Sequence, residues 1–318
     1  MMMRDLPGRI ITAVFTLWLV SLLIFLVFQV LPGNPAQIIL GAEAAPEQVA
    51  ALEKELGLDR PVFLRYLHWL GGVFRGDLGI SLRYSQPVRR LMGDSLKVPL
   101  PVAAMALVFI VLLGIPLGLV AGRYHWQKRG FFLSALLQLG TAVPSFWLGI
   151  LLTLALAKLF RFFTPGAFIP WEENWRDALA ALIPPALAVA LPKVAVFTRY
   201  VGTAFLEERN ADYIRTAYSK GLTEKRIFTT HLLKNILIPA VTVLGLMGAD
   251  LLGGSIIVEK VFALPGLGRL LMDAIGFRDF PLIQGIALYL SGVVVLLNLL
   301  VDLGYGILDP RIRWREEK

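Results

Sequence analysis

The 318-residue sequence contains no cysteine and only three histidines. Without cysteine, the chain forms neither disulfides nor thiolate-ligated metal sites. The histidines, His68, His125 and His231, lie far apart, so neither metal-ligand spacing nor a Ser-His-Asp arrangement is indicated. A phosphate-binding G-x-x-x-x-G-K-[ST] segment is also missing, and ATP binding of that kind would have to come from another chain.

Charged residues are scarce as well. They make up 17% of the chain, against about 25% in average soluble domains. Hydrophobic residues reach 57% and the mean hydropathy is +0.69, so the surplus apolar surface needs lipid as a second solvent. The net charge of +8 does not indicate nucleic-acid binding, because the basic residues cluster between apolar runs and form no stripe with aromatic residues.

Six apolar runs are long enough to cross the hydrocarbon core of a membrane, which takes roughly 20 helical residues. They cover residues of about 10–31, 98–121, 131–157, 180–201, 236–258 and 282–307. Because a backbone in lipid must satisfy its own polar groups, these runs predict an all-α integral membrane protein with six transmembrane helices. Proline and glycine within the runs predict kinks or close helix contacts, at Gly114, Pro116, Gly118, Pro144, Pro184, Pro185 and Pro192.

Basic residues predict the orientation of these spans. If the spans alternate, four basic groups fall on one side, within residues 4–9, 123–129, 209–234 and 311–318. This side is predicted to be the cytoplasm, with both termini on it. The first apolar run is too long for the core of a cleavable signal peptide, and no small-residue cleavage site follows it, so we expect a lasting span.

The predicted spans divide the chain into three parts. Residues 1–97 would form the first transmembrane helix and an extracytoplasmic helical loop, residues 98–308 a five-helix core with a cytoplasmic loop at 202–235, and residues 309–318 a cytoplasmic tail.

The outer loop contains two amphipathic patterns. Residues 46–56 predict a helix with Val49, Leu52 and Leu56 on one face, and residues 64–70 include Tyr66 and Trp69, aromatics suited to a membrane interface. Two compatible interpretations follow, a surface helix pair that covers the core and a docking platform for an external partner.

The inner loop at 202–235 predicts two short helices. We expect Asp212 to cap a helix through Ser219, and Gly221 to end it in the left-handed conformation. Thr223 would then cap a second helix through about Asn235, before Pro239 opens the next span.

Two short helices that meet at a glycine make a compact knob. Its apolar side would carry Tyr213, Ala217 and Leu222. The pattern alone is compatible with an amphipathic connector on the membrane and with a knob that docks into a groove of another protein.

The segment resembles the coupling loop of bacterial ABC importer permeases, in the dipeptide, oligopeptide and nickel branch. That family's E-A-A-x-x-x-G pattern corresponds to Thr216-Ala217-Tyr218 and Gly221, with departures at the first and third positions, and an I-x-L-P-like ending follows at residues 236–239. Further segments match the branch in order, at 31–35 (LPGNP), 76–81 (GDLGIS), 114–118 (GIPLG), 144–146 (PSF), 259–268 (EKVFALPGLG) and 309–311 (DPR). Gly202 stands where the branch often has a second arginine after Arg199.

The resemblance implies an ABC type I importer permease fold in the bacterial inner membrane, crossing it several times. It implies half of a translocation pathway for di- or oligopeptides, no enzymatic activity and no cofactor bound by this chain. The implied partners are a sister permease, an external substrate-binding protein and two ATPase subunits that carry ATP and magnesium. The implied ATPase-coupling residues are Asp212, Tyr213, Arg215, Ala217, Lys220, Gly221 and Leu222. Tyr213, Ala217, Gly221 and Leu222 would form the contact core.

Lys193 and Asp250 are charged residues in the middle part of predicted spans. A central lysine or aspartate costs about 2.5–3.5 kcal/mol on insertion scales, so Lys193 and Asp250 should face the protein interior or a cavity. From the predicted span ends the two differ in depth by about six residues, or roughly 9 Å, which disfavours a direct pair.

Two other classes remain to be separated from the importer permease. A self-sufficient secondary transporter or channel should show internal repeats and broken midplane helices, and a membrane enzyme needs a catalytic constellation. Transport by the chain alone, or only with an ATPase and a sister permease, would discriminate them. The substrate stays open among dipeptides, oligopeptides, nickel, glutathione and oligosaccharides.

Overall fold

The computed structural model describes residues 2–30, 35–41, 44–55, 57–159, 166 and 168–308. Within these ranges the chain is helical throughout, and extended pairing is limited to one isolated bridge between Ile80 and Pro87. The α-helices are α1 (Met2–Val30), α2 (Pro35–Leu40), α3 (Pro46–Glu55), α4 (Val62–Phe74), α5 (Val88–Ser95), α6 (Pro99–Arg123), α7 (Lys128–Ala142), α8 (Ser145–Leu159), α9 (Trp175–Arg209), α10 (Asp212–Ser219), α11 (Glu224–Ile227), α12 (Leu233–Val261), α13 (Leu267–Gly276) and α14 (Phe280–Leu308). The tail at 309–318 and the motif residues 31–34 lie outside the described ranges.

Five of the predicted spans are continuous apolar helices, and the third is bent. Helices α7 and α8 meet at an angle of 100° and make a span only when taken together. Pro144 lacks an N–H donor and restricts the residue before it, and Val143 accordingly ends α7 in an extended conformation. The prolines within α6, α9 and α12 leave those helices unbroken.

Helix α9 is longer than the span predicted for it. The Asn174 side chain accepts hydrogen bonds from the backbone N–H groups of Arg176 and Asp177, which caps the first turn. From there the helix continues for 35 residues, or about 52 Å, well beyond the roughly 30 Å of a hydrocarbon core. Its final turns therefore extend past the membrane toward α10.

The chain divides into two compact units, the first built on residues 99–264. Its core is a close contact between α6 and α9. Gly114, Gly118 and Gly122, spaced one helical turn apart, face Phe197, Val201 and Phe205 of α9. Since glycine has no side chain, the two backbones approach closely, as in small-residue packing between membrane helices.

The second unit combines residues 7–98 with 265–296. An apolar cluster joins α5, α13 and the start of α14, and its buried members are Val88, Met92, Leu267, Leu270, Ala274, Leu282 and Ile286. The two outer-loop helices are present as α3 and α4. Val49 is buried as the pattern predicts, whereas Leu56 lies outside the described residues.

Tyr66 differs from its predicted interfacial place. Its side chain is buried, its ring packs edge-on against Phe25, and its hydroxyl is 2.9 Å from the hydroxyl of Ser21. Both partners belong to α1, so Tyr66 attaches the outer-loop helix α4 to the first span.

Asp279 joins two distant segments of the second unit. Its buried carboxylate accepts a hydrogen bond from the Ser81 hydroxyl and others from the backbone N–H groups of Leu82 and Arg83, both at 3.2 Å. It also accepts from the Leu282 N–H at 3.3 Å and so caps the start of α14.

Replacing Asp279 by alanine should strongly destabilise the second unit. Four donors would lose their acceptor, and each buried unsatisfied group costs about 1–3 kcal/mol. We expect Asp279→Ala to lower the melting temperature of the detergent-solubilised protein markedly, and the exposed Asp94→Ala to leave it nearly unchanged. Equal melting temperatures for the two variants would contradict this role of Asp279.

Candidate functional site

The coupling loop folds into the two helices that its sequence predicts. Helix α10 spans Asp212–Ser219, and Gly221 follows with φ of +74°, in the left-handed region. The Leu222 N–H donates to the Ala217 carbonyl at 3.3 Å, and the Gly221 N–H donates to the Tyr218 carbonyl at 2.9 Å. These two bonds form a Schellman motif, the helix ending in which glycine is favoured.

Two details differ from the prediction. Asp212 is the first helical residue rather than the cap, which falls on Ala211. The second helix does not stop near Asn235, because α11 passes through a π-helical turn at Phe228–Leu232 directly into α12. Pro239 thus lies inside α12 and does not open it. Helix α11, the π-helical turn and the fifth span are therefore one continuous helical segment.

The two helices present one buried face and one exposed face. Ile214, Ala217 and Ile227 are buried within the chain. Ala217 is 6% exposed, so most of its surface is used in packing within the chain, and its contact with an ATPase stays a prediction.

The remaining predicted coupling residues reach the surface to different extents. Tyr213 and Leu222 are half-buried, while Asp212, Arg215, Lys220 and Gly221 are exposed. Arg215 pairs with Asp212 at 3.6 Å. Sequence reasoning missed Tyr218, which is 52% exposed beside Gly221.

Tyr213 connects the knob to two spans. Its hydroxyl donates to the Glu208 carboxylate near the end of α9 and accepts from the Asn235 amide of α12 at 2.9 Å. Asn235 also reaches Glu208 at 3.5 Å. This three-residue network ties α10 to both neighbouring helices, which suits a part that transmits force.

Lys193 and Asp250 form an ion pair. The ammonium nitrogen of Lys193 lies 3.3 Å from a carboxylate oxygen of Asp250, so the expectation against direct pairing is wrong. The predicted spans placed the end of α9 and the start of α12 at the wrong residues. Lys193 is 16 residues before the end of α9, and Asp250 is 17 residues after the start of α12, so their depths nearly coincide.

The pair lies on an open face of the chain. The Asp250 side chain is 74% exposed, against 21% for Lys193. Leu246, Gly253 and Ile257 share the exposed stripe of α12 with Asp250, at helical spacing. A charge so exposed in the middle of a span is costly against lipid, so this face should meet water or another protein.

No group of three or more His, Asp or Glu side chains within the described ranges could hold a metal ion.

These features define a multi-pass α-helical membrane protein with a two-helix knob between its fourth and fifth spans. Residues 114–314 match the family model described as binding-protein-dependent transport system inner membrane component, and residues 2–110 match the model of its N-terminal part. The chain belongs to this family. It is an inner membrane permease subunit of an ABC importer, and not an enzyme.

Two relatives extend over almost the whole chain. The dipeptide transport system permease protein DppB of Escherichia coli K12 is 36% identical over 326 aligned residues, which cover 93% of this chain and 95% of the relative. A protein of Brucella melitensis, named as a peptide transport system permease protein, is 39% identical over 316 residues, with coverage of 99% and 100%.

Proposed function

We propose that this chain forms half of the translocation pathway of a peptide importer and receives its driving force through α10 and α11. It would pair with a sister permease and with two ATPase subunits that bind ATP and magnesium, while an external binding protein delivers the cargo. The observation that carries this proposal is the knob, whose outer face is free of the chain's own packing and whose inner face is hydrogen-bonded to two spans.

The exposed side of the knob has the properties of a docking surface. Tyr218 offers an aromatic anchor of the kind that dominates protein interfaces, and Arg215, Lys220 and Lys225 surround it with positive charge. Such rim charges affect register and association rate more than affinity. Movement of this surface would reach α9 and α12 through Glu208, Tyr213 and Asn235, and so change the packing between two states.

The experiment is reconstitution of the importer in liposomes with ATP and magnesium supplied on the knob side. Uptake of a labelled dipeptide is expected only when this chain, the sister permease, the ATPase subunits and the external binding protein are all present. Uptake by this chain alone, or uptake that does not depend on ATP, would refute the proposal and favour a secondary transporter.

The cargo is inferred from the relatives, whose names specify peptides and dipeptides. Identification of the ligand that copurifies with the external binding protein tests this part separately. A short peptide is expected. Nickel, glutathione or an oligosaccharide would leave the coupling mechanism intact but change the substrate.

The Lys193–Asp250 pair would line the pathway. A variant that removes one charge leaves the other uncompensated within the span, which is far more costly than removing both. We expect Asp250→Asn and Lys193→Gln each to reduce ATP-driven uptake by more than about tenfold, since about 1.4 kcal/mol suffices for that factor.

The exchanged variant Lys193→Asp with Asp250→Lys is the matched control. It keeps both charges and should recover much of the uptake, measured at equal protein levels. If the exchanged variant transports no better than the single variants, the ion pair is not what these residues contribute.

A further inference from the structure

A cavity with both polar and apolar lining residues lies beside α9, within the first unit. It has a volume of about 240 Å³, is lined by residues of α6, α7 and α9, and opens to the outside. Its polar lining residues are His125, Ser134, Gln138, Thr141, Thr198, Arg199 and Thr203. No acidic side chain lines it. The cavity is thus rich in hydrogen-bond donors and carries positive charge, which favours an anion.

Thr198 provides an independent sign of a ligand. Thr198 is fully buried. Among the residues that the structure describes, its hydroxyl is the one buried side-chain polar atom without a hydrogen-bond partner. An orphaned buried hydroxyl costs free energy, so its retention calls for a partner from outside the chain. Arg199, the neighbouring cation, likewise has no carboxylate within reach among the described residues.

The depth of the cavity corresponds to the headgroup region of a membrane. Arg199 lies ten residues, or about 15 Å, before the end of α9, near the inner end of the predicted span. Tyr200, the next residue of α9, is 50% exposed at this level. Exposed aromatics of this kind gather at membrane–water interfaces.

The surroundings favour a lipid over cargo in transit. At about 100° per residue, Arg199 points roughly 120° away from Lys193 around α9, so the cavity is not on the face that carries the ion pair.

We propose that this cavity binds the phosphate of an anionic phospholipid. Arg199 donates charge-assisted hydrogen bonds to the phosphate oxygens, the Thr198 hydroxyl donates a further one, and Gln138 and Ser134 complete the donor set from α7. Basic pockets between transmembrane helices near the cytoplasmic surface are suited to such headgroups. The lipid would hold α7 against α6 and α9.

The test compares the full chain in nanodiscs of phosphatidylcholine alone and of phosphatidylcholine with phosphatidylglycerol. The wild-type protein should melt at a higher temperature with the anionic lipid and retain phosphatidylglycerol through detergent extraction, as measured by mass spectrometry. Arg199→Gln should abolish the thermal gain and reduce the retained phosphatidylglycerol by about tenfold, the loss expected from one charge-assisted contact. Arg176→Gln, at the other end of α9, should retain both effects.

The melting temperature of Thr198→Val distinguishes loss of lipid binding from general destabilisation of the protein. The valine is nearly isosteric and removes the orphaned hydroxyl, so melting in pure phosphatidylcholine should shift upward. The gain from phosphatidylglycerol should shrink at the same time.

Three results would overturn the proposal. The first is an undiminished phosphatidylglycerol effect in both Arg199→Gln and Thr198→Val. In the second, inorganic phosphate in pure phosphatidylcholine reproduces the Arg199-dependent stabilisation, and the site is then one for a soluble anion. In the third, a free dipeptide reproduces it, and the cavity then belongs to the transport pathway.

Discussion

Replacing Gly221 by valine is expected to abolish ATP-driven uptake while the protein still inserts into the membrane. Gly221 has φ of +74°, and a Cβ built there meets no atom within 4 Å, so the cost is purely one of backbone conformation. An L-residue pays about 1–2 kcal/mol in this region, and a β-branched side chain fits worst. The Schellman bonds of Leu222 and Gly221 would break, and the two knob helices would lose their angle.

Gly221→Asn is the matched control, because asparagine tolerates the left-handed conformation at helix ends. It should transport at near the wild-type rate, with alanine between the two. Uptake is measured in proteoliposomes and normalised to the amount of assembled importer. Normal uptake by the valine variant would show that the geometry of this turn does not matter for coupling.

Replacing Gly118 by leucine should prevent the first unit from folding. A Cβ at this position would lie 2.5 Å from the Cβ of Val201 and 2.9 Å from the Thr198 carbonyl oxygen. The carbonyl belongs to the backbone of α9 and cannot move without shifting the helix. Overpacking of a core costs about 1–3 kcal/mol for small additions, and a whole leucine side chain exceeds the space by far more.

The measurement is the yield of monodisperse protein and its melting temperature in detergent. Gly118→Ala should already lower the melting temperature, and Gly118→Leu should give little folded protein. Gly292→Leu is the control within another span, because a Cβ at Gly292 meets nothing within 4 Å. A folded Gly118→Leu variant as stable as Gly292→Leu would refute the close contact between α6 and α9.

Features set by neighbouring residues were predictable from the sequence. The apolar runs correspond to spans, Gly221 has the left-handed conformation, and α10 ends at Ser219 as predicted. Pro144 interrupts the third span, although a 100° bend exceeds the kink that a single proline commonly produces. Each of these outcomes depends on the backbone preferences of one or two residues.

Features that join distant residues were not predictable in this way. Ser81 and Asp279 are 198 positions apart, and nothing in either local pattern indicates that they meet. The Lys193–Asp250 pair was missed because hydropathy locates the lipid-facing part of a helix and not its end, and α9 extends eight residues beyond its predicted span. The burial of Ala217 was also not predictable, because its apolar character alone does not distinguish internal packing from docking.

The central claim is that the α10–α11 knob lies on the cytoplasmic side, where an ATPase can bind it. Since the chain contains no cysteine, Ser219→Cys places a single thiol on the exposed end of α10. A membrane-impermeant maleimide should leave this thiol unlabelled in intact cells and label it in inside-out vesicles, with Glu173→Cys, in a predicted outer loop, behaving oppositely. Labelling of Ser219→Cys in intact cells would contradict the account.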